Sequence, residues 1–152
     1  MENAITDFLD KIIPELGALL SDVKLWLNLA MFAGPVLLLL VGAFYFFLAP
    51  KEANHKAGYR TFFGMGSVKA WNFTQKIAGM IWGGTGALLL VVALIGCIIL
   101  GGQEASQAVS TGMTILIIEA VCCLLAFLAI EIWVLLSFDA NGNPKVRIKF
   151  QK

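Results

Sequence analysis

The chain has 152 residues, of which 59% are hydrophobic and 14% are charged. Ordinary soluble domains carry about 25% charged residues, and disordered chains combine low hydrophobicity with high charge, so this composition excludes a disordered protein and argues against a soluble domain. The formal net charge of +1 gives no electrostatic reason to expect direct nucleic-acid binding.

The N-terminal segment, residues 1–24, is predicted to form an amphipathic helix, because apolar residues recur at helical spacing from Ile5 to Val23. Pro14 is expected to kink or restart this helix. Its polar face is mainly acidic, whereas a basic face would favour anionic lipid. Two interpretations stay open: a helix lying at the outer interface or on the bundle, and a docking surface for an external partner.

Three apolar stretches, residues 25–48, 77–100 and 113–138, are long enough to cross a bilayer. Twenty-four residues of helix extend about 36 Å, and a hydrocarbon core is about 30 Å thick. The sequence therefore predicts an all-α fold, a three-span transmembrane helical bundle covering residues 25–138. A loop at 49–76 joins the first two spans, a short polar turn at 101–112 joins the last two, and a basic tail follows at 139–152.

The orientation is predicted from the basic residues. The first loop and the tail, on one side of the membrane, hold nine Lys and Arg residues, and the other side holds two. Because cytoplasmic loops carry the excess of Lys and Arg, we expect an external N-terminus and a cytoplasmic C-terminus. Within these segments, Ser67 is a candidate cap for the helix leading into the second span, and Asp139 to Pro144 predicts a turn before an extended tail.

Glycines recur along one face of the second span, at Gly79, Gly83 and Gly86. Small residues at this spacing let transmembrane helices approach closely. The expected role is packing against another helix of the same chain, and a homodimer through this face is the alternative.

Two acidic residues, Glu119 and Glu131, lie inside the third apolar stretch, where each should face protein or water. They are 12 residues apart, about 18 Å along a helix, so they cannot form one paired-carboxylate site. Each is either a neutral or hydrogen-bonded acid at a helix interface or part of a proton or cation pathway. Glu131 is placed to reach Arg60 or a lysine of the first loop.

The sequence gives no sign of catalysis, a metal site or a cofactor. His55 is the single histidine, the cysteines Cys97, Cys122 and Cys123 lie in apolar runs without a C-x-x-C spacing, and no phosphate-binding loop is present. A membrane enzyme is therefore the least favoured class.

The first loop carries a motif: a proline, an asparagine, G-Y-R-T and a tryptophan that opens the next helix. Its residues are Pro50, Asn54, Gly58, Tyr59, Arg60, Thr61 and Trp71, followed by Gly79. This set resembles the SdpI family of bacterial membrane proteins over roughly residues 35–100. Three positions depart from the family pattern: Gly64 in place of serine, Ser67 in place of asparagine and Thr74 in place of alanine.

The resemblance implies a non-enzymatic immunity protein of the bacterial cytoplasmic membrane. The founding member protects its cell from a secreted, membrane-active peptide toxin and also holds a transcriptional repressor at the membrane. The expected partners are membrane lipids and a hydrophobic toxin peptide or another membrane protein. The competing hypothesis is a small transporter or an accessory subunit of a larger membrane complex, for which Glu119 and Glu131 are the motivation.

Within the motif, Arg60 is the strongest candidate for ligand binding, because a guanidinium offers planar donors for a carboxylate or a lipid phosphate. The alternative is that Arg60 caps helix-end carbonyls and holds the loop to the bundle. Tyr59 and Trp71 are expected to be interfacial anchors more than ligand contacts. Together Arg60, Tyr59 and Asn54 are predicted to form one ordered cluster with the start of the second span.

Overall fold

The computed structural model describes residues 2–53 and 56–145, with side chains from residue 22 onward. This part of the chain forms three long helices, α1 (Glu2–Ala43), α2 (Val68–Gly101) and α3 (Ala105–Ser137), and α1 continues into a π-helical turn, Phe44–Leu48. Three stretches are long and apolar enough to cross a membrane: Asp22–Leu48, Val68–Gly101 and Ala105–Ser137. The prediction of an all-α protein with three membrane-spanning helices is confirmed.

The helices are longer than the apolar stretches that predicted them. α1 runs through Pro14 without a break, so the prediction that the helix restarts there is wrong. A proline removes only one backbone donor, and the helical hydrogen bonds on either side continue the segment into the first span. α2 begins nine residues before residue 77, and α3 begins eight before residue 113. The predicted turn at 101–112 therefore shrinks to residues 102–104.

The extra turns of α2 follow from a local cap. The Ser67 hydroxyl accepts a hydrogen bond from the Ala70 amide at 3.1 Å, which satisfies one of the free amides at the helix start. The next turn buries Trp71 completely. Capping and burial thus extend the helix beyond its lipid-facing length, which hydropathy alone cannot indicate.

Close backbone contact joins α1 to α2. A Cβ added at Gly79 would lie 2.7 Å from the Phe46 nitrogen, and one added at Gly86 would lie 2.8 Å from the Leu39 nitrogen. Gly83 faces Gly42, whose Cα is 4.0 Å from the position of a Cβ at Gly83. The glycine face thus packs within one chain, as its spacing predicts.

Two buried clusters hold the three helices together, one towards each end. One consists of Ala78, Ile130 and Val134, with Tyr45, Tyr59 and Phe63 against it. The other consists of Leu27, Met31, Ala93, Leu100, Ala108 and Ile115. Large apolar side chains elsewhere point outward, as the 78% exposure of Ile98 illustrates, and this is the surface that lipid covers in a bilayer.

The two ends of the bundle differ in their connections. At one end, which we name the far end, residues 102–104 join α2 to α3, and the Lys24 ammonium donates to the Gln103 carbonyl at 2.5 Å. At the opposite end, the loop end, residues 49–67 meet the turn that follows α3. There the Ser67 hydroxyl donates to the Gly142 carbonyl at 2.7 Å.

The turn after α3 forms as the sequence predicts. A carboxylate oxygen of Asp139 accepts from the amides of Asn141 and Asn143 at 3.0 and 2.7 Å, and Phe138 forms a single antiparallel bridge with Pro144. The predicted extended segment after Lys145 lies outside the described residues.

Candidate functional site

Residues 49–67, which we call the motif loop, fold against the loop end of the bundle. The loop contacts the end of α1, the first two turns of α2 and the last third of α3. Most of the predicted motif residues lie on this loop or on the adjoining start of α2. Asn54 lies outside the described residues, so its predicted place in the cluster stays a prediction.

A glutamine of α2 holds the loop in place. The side-chain oxygen of Gln75 accepts from the Tyr59 amide at 2.8 Å, and its side-chain nitrogen donates to the Tyr59 carbonyl at 2.7 Å. Gln75 is only 3% exposed. One amide thus satisfies both backbone groups of Tyr59, as a neighbouring β-strand would, and fixes the position from which Tyr59 projects.

The Tyr59 side chain crosses to α3. Its hydroxyl donates to a carboxylate oxygen of Glu131 at 3.3 Å. Its ring packs edge-on against Tyr45 of the π-helical turn, with centroids 5.7 Å apart, and approaches Phe127 of α3. Burial and the adjacent carboxylate of Glu131 raise the pKa of Tyr59. The phenol therefore remains a hydrogen-bond donor throughout the physiological pH range, and one side chain joins all three helices.

Trp71 and Gly58 form the second attachment of the loop. The Trp71 indole donates to the Pro50 carbonyl at 2.6 Å. Gly58 has φ of +111°, and an added Cβ would lie 2.6 Å from the Trp71 ring. This position therefore requires glycine twice, for its backbone conformation and for the space against the indole.

Thr61 closes the loop locally. It is 4% exposed, and its hydroxyl accepts from the Gly64 amide at 2.8 Å. A Cβ at Gly64 would lie 2.5 Å from the hydroxyl oxygens of both Thr61 and Thr74. Two of the departures from the family pattern, Gly64 and Thr74, thus contact each other, the smaller residue making room for the larger.

Arg60 lies on the exposed side of the motif loop. Arg60 follows Tyr59 directly, so the two hydrogen bonds between the Gln75 side chain and the Tyr59 backbone also position the backbone of Arg60. Lys51 and Lys56 are exposed on the same loop. The loop therefore combines an inner side that is hydrogen-bonded to the helices with an outer side that carries positive charge.

A shallow groove of about 470 Å³ lies between the end of α1 and the motif loop. Its helix wall is apolar, and its loop wall carries the Lys56 side chain and the backbone before Tyr59. The lining residues are Leu40, Val41, Phe44, Tyr45, Lys56, Ala57 and Gly58.

The structure separates the two intramembrane acids. Glu131 belongs to the loop end through Tyr59, whereas Glu119 lies deeper, is 6% exposed and has Gly34 of α1 opposite it. Because α3 begins at Ala105, Glu119 lies about 21 Å from one end of the helix and about 27 Å from the other. Glu119 is therefore nearer the middle of the bundle than the apolar stretch suggested.

Comparison with known proteins places this helical membrane protein in a family. The model of the SdpI/YfhL protein family matches residues 51–133. The chain belongs to the SdpI/YfhL family. No curated protein and no solved structure gives a significant match.

The extent of the match corrects the resemblance deduced from the motif. The predicted coverage, residues 35–100, included the end of the first span and excluded the third. The match instead omits Pro50 and the first span, and continues through Glu119 and Glu131. Tyr59 and Glu131, 72 residues apart in sequence, are thus both inside the matched region, and their hydrogen bond connects the loop with the third span.

Gln75 is the residue of the cluster that the sequence analysis missed. A signal was present, because Ser67, Trp71 and Gln75 are spaced four residues apart and so share one face of α2. A polar side chain on the face that also carries the buried tryptophan is expected to meet the loop instead of lipid.

Proposed function

We propose that this protein protects a bacterial cytoplasmic membrane against a membrane-active peptide. Membership of the SdpI/YfhL family is the observation that carries the proposal, because the matched region contains residues 51–67 of the motif loop, all of α2 and most of α3. The ordered loop supports a binding role, since its inner side is fixed by Gln75, Tyr59 and Trp71 and its outer side presents Arg60.

In the proposed capture step, the peptide reaches the protein from within the bilayer. A hydrophobic peptide must enter the bilayer to do harm, and once inserted it meets the protein from the lipid side. The groove between α1 and the motif loop is lined by apolar residues of the first span, and Lys56 and Arg60 lie on the adjoining loop. Apolar side chains of the peptide would pack on Leu40 and Phe44, and its acidic groups or C-terminal carboxylate would meet the basic loop.

A killing assay tests the proposal. Cells that express the protein and cells with an empty vector are exposed to candidate peptide toxins, and survival is counted at equal growth phase. We expect higher survival with the protein for at least one peptide. Equal sensitivity to every candidate would contradict the protective function.

The proposed orientation places the motif loop in the cytoplasm and the N-terminus outside. Glu52, on the motif loop, and Glu104, at the far end, are both exposed and lie at opposite ends of the bundle. In a variant without the three native cysteines, we expect a membrane-impermeant maleimide to label Glu104→Cys in intact cells and to label Glu52→Cys only after lysis. The opposite pattern would reverse the topology.

The second candidate function is a small transporter or an accessory subunit of a larger membrane complex. The buried carboxyl group of Glu119, near the middle of the bundle, is the observation that favours it. Uptake or efflux by reconstituted vesicles, or co-purification with a larger membrane protein, would distinguish this function from protection.

A further inference from the structure

The carboxyl group of Glu119 is buried without a full set of partners. The residue is 6% exposed, and its Oε1 atom has no hydrogen-bond partner among the described residues. An ionised carboxylate without a partner is costly in a low-dielectric interior, and the usual outcome is that such a group takes up a proton or a cation.

The stretches of α1 and α2 that flank this group in the membrane interior carry no basic residue. α1 has no charged residue from Leu25 to Ala43, and α2 has none from Ile77 to Gly101. On α3 the acid at the loop end, Glu131, is 12 residues away, about 18 Å along the helix. The basic residues at the ends of the spans therefore lie outside the layer that contains Glu119.

The titratable side chains next to Glu119 on α3 are thiols, since Cys122 and Cys123 follow it by about one turn. On α2, the apolar stretch from Ile77 to Gly101 contains one titratable side chain, Cys97. From α1, the backbone at Gly34 faces the carboxyl group, and a Cβ there would lie 3.4 Å from Oε2. The absence of a side chain at Gly34 leaves room beside the carboxyl group, and none of these neighbours supplies a positive charge.

The adjoining turn of α1 lacks one helical donor. Pro35 is fully buried and has no amide hydrogen, so the Met31 carbonyl lacks its usual helical donor. The interior layer formed by Met31, Gly34, Pro35 and Glu119 thus contains acceptors and no cationic donor. The chemistry of this layer matches a proton on the carboxyl group, which converts one acceptor into a donor.

We propose that Glu119 is a proton-binding site in the membrane interior, occupied at neutral pH. The protonated acid removes the unpaired charge and supplies one O–H donor to an environment without a cationic donor. This site is separate from the motif loop and does not depend on the proposed protective function.

Infrared spectroscopy of the protein in lipid vesicles tests the proposal. At pH 7 we expect the carbonyl stretch of a protonated carboxyl group in the native protein. The carbonyl band of Glu119 should disappear in Glu119→Gln and shift in frequency in Glu119→Asp. It should remain in Glu104→Gln, a control that removes an exposed acid at the start of α3. Replacing potassium by sodium in the buffer should leave the band unchanged.

Three results would overturn the proposal. A spectrum that is the same in Glu119→Gln and the native protein would show that Glu119 carries no proton at pH 7. Loss of the band in sodium would assign the site to a metal cation instead. Loss of the band in Glu104→Gln, with no shift in Glu119→Asp, would place the proton on the exposed acid. Glu119→Asp retains a carboxyl group, so the shift of its carbonyl band is a second measurement if the glutamine variant does not fold.

Discussion

Replacing Gly79 with alanine should destabilise the protein strongly, by about 1–3 kcal/mol or more, the cost of overpacking a close interface. The new methyl group would lie 2.7 Å from the backbone nitrogen of Phe46, and backbone cannot rotate away as a side chain can. α1 and α2 would have to separate, which weakens the contact that small residues provide between transmembrane helices. Unfolding in detergent, followed by helical circular dichroism, measures the loss.

The neighbouring glycines provide graded controls for this prediction. Gly84 has nothing within 4 Å of an added Cβ, so Gly84→Ala should be neutral or slightly stabilising. At Gly83 the nearest atom is 4.0 Å away, so alanine should be tolerated there, whereas Gly83→Leu should force the helices apart. Equal stability of Gly79→Ala and Gly84→Ala would mean that α1 and α2 do not meet through this face.

Replacing Gln75 with leucine should release the motif loop from α2. The change removes both hydrogen bonds to the Tyr59 backbone, and a buried polar group left without a partner costs about 1–3 kcal/mol. We therefore expect about 2–4 kcal/mol of local destabilisation when both groups are affected. Hydrogen exchange at the Tyr59 amide reports it directly, and protection there should fall at least about tenfold.

The control for this prediction is Asn72→Leu, which makes an amide-to-leucine change at an exposed position on the same helix. It should leave exchange at Tyr59 unchanged. Unchanged protection of the Tyr59 amide in Gln75→Leu would mean that Gln75 does not hold the motif loop through these hydrogen bonds. A loss of protection throughout α2 would contradict the view that Gln75 acts mainly on the loop.

The sequence predicted the features that depend on composition and local periodicity. Hydropathy located three spans because lipid-facing helices must be apolar over a fixed length. The spacing of Gly79, Gly83 and Gly86 predicted a packing face, but it did not predict which of the three positions tolerates a larger side chain. The tolerance at each position depends on which backbone atoms of α1 lie opposite, and the spacing of glycines in α2 does not indicate that Gly42 lies opposite Gly83.

Features that depend on contacts between distant segments were predicted less well. Glu131 is placed by the sequence within reach of Arg60 or a loop lysine, which stays a prediction. The structure gives it a hydrogen bond from the Tyr59 hydroxyl, a contact across 72 residues that local periodicity does not indicate. Gln75 was overlooked because a single amide in an apolar helix gives no charge signal. The start of α2 was predicted by Ser67 as a candidate cap and not by hydropathy, because the cap and the burial of Trp71 act outside the apolar stretch.

The central claim is that the motif loop is the site of protection, with Arg60 as its exposed binding group. Arg60→Lys keeps the charge but loses the planar fork, and loss of one charge-assisted hydrogen bond, about 1.5–3 kcal/mol, corresponds to at least about tenfold weaker binding. Lys69→Arg is the matched control, a conservative change at an exposed basic position on α2 outside the motif.

The most direct test is the survival of toxin-treated cells that carry native protein, Arg60→Lys or Lys69→Arg at equal levels in the membrane. We expect the native protein and Lys69→Arg to protect, while Arg60→Lys, though present at a normal level, does not. Full protection by Arg60→Lys would show that Arg60 is not the binding group, and disappearance of the Arg60→Lys protein from the membrane would instead assign Arg60 to holding the loop on the bundle.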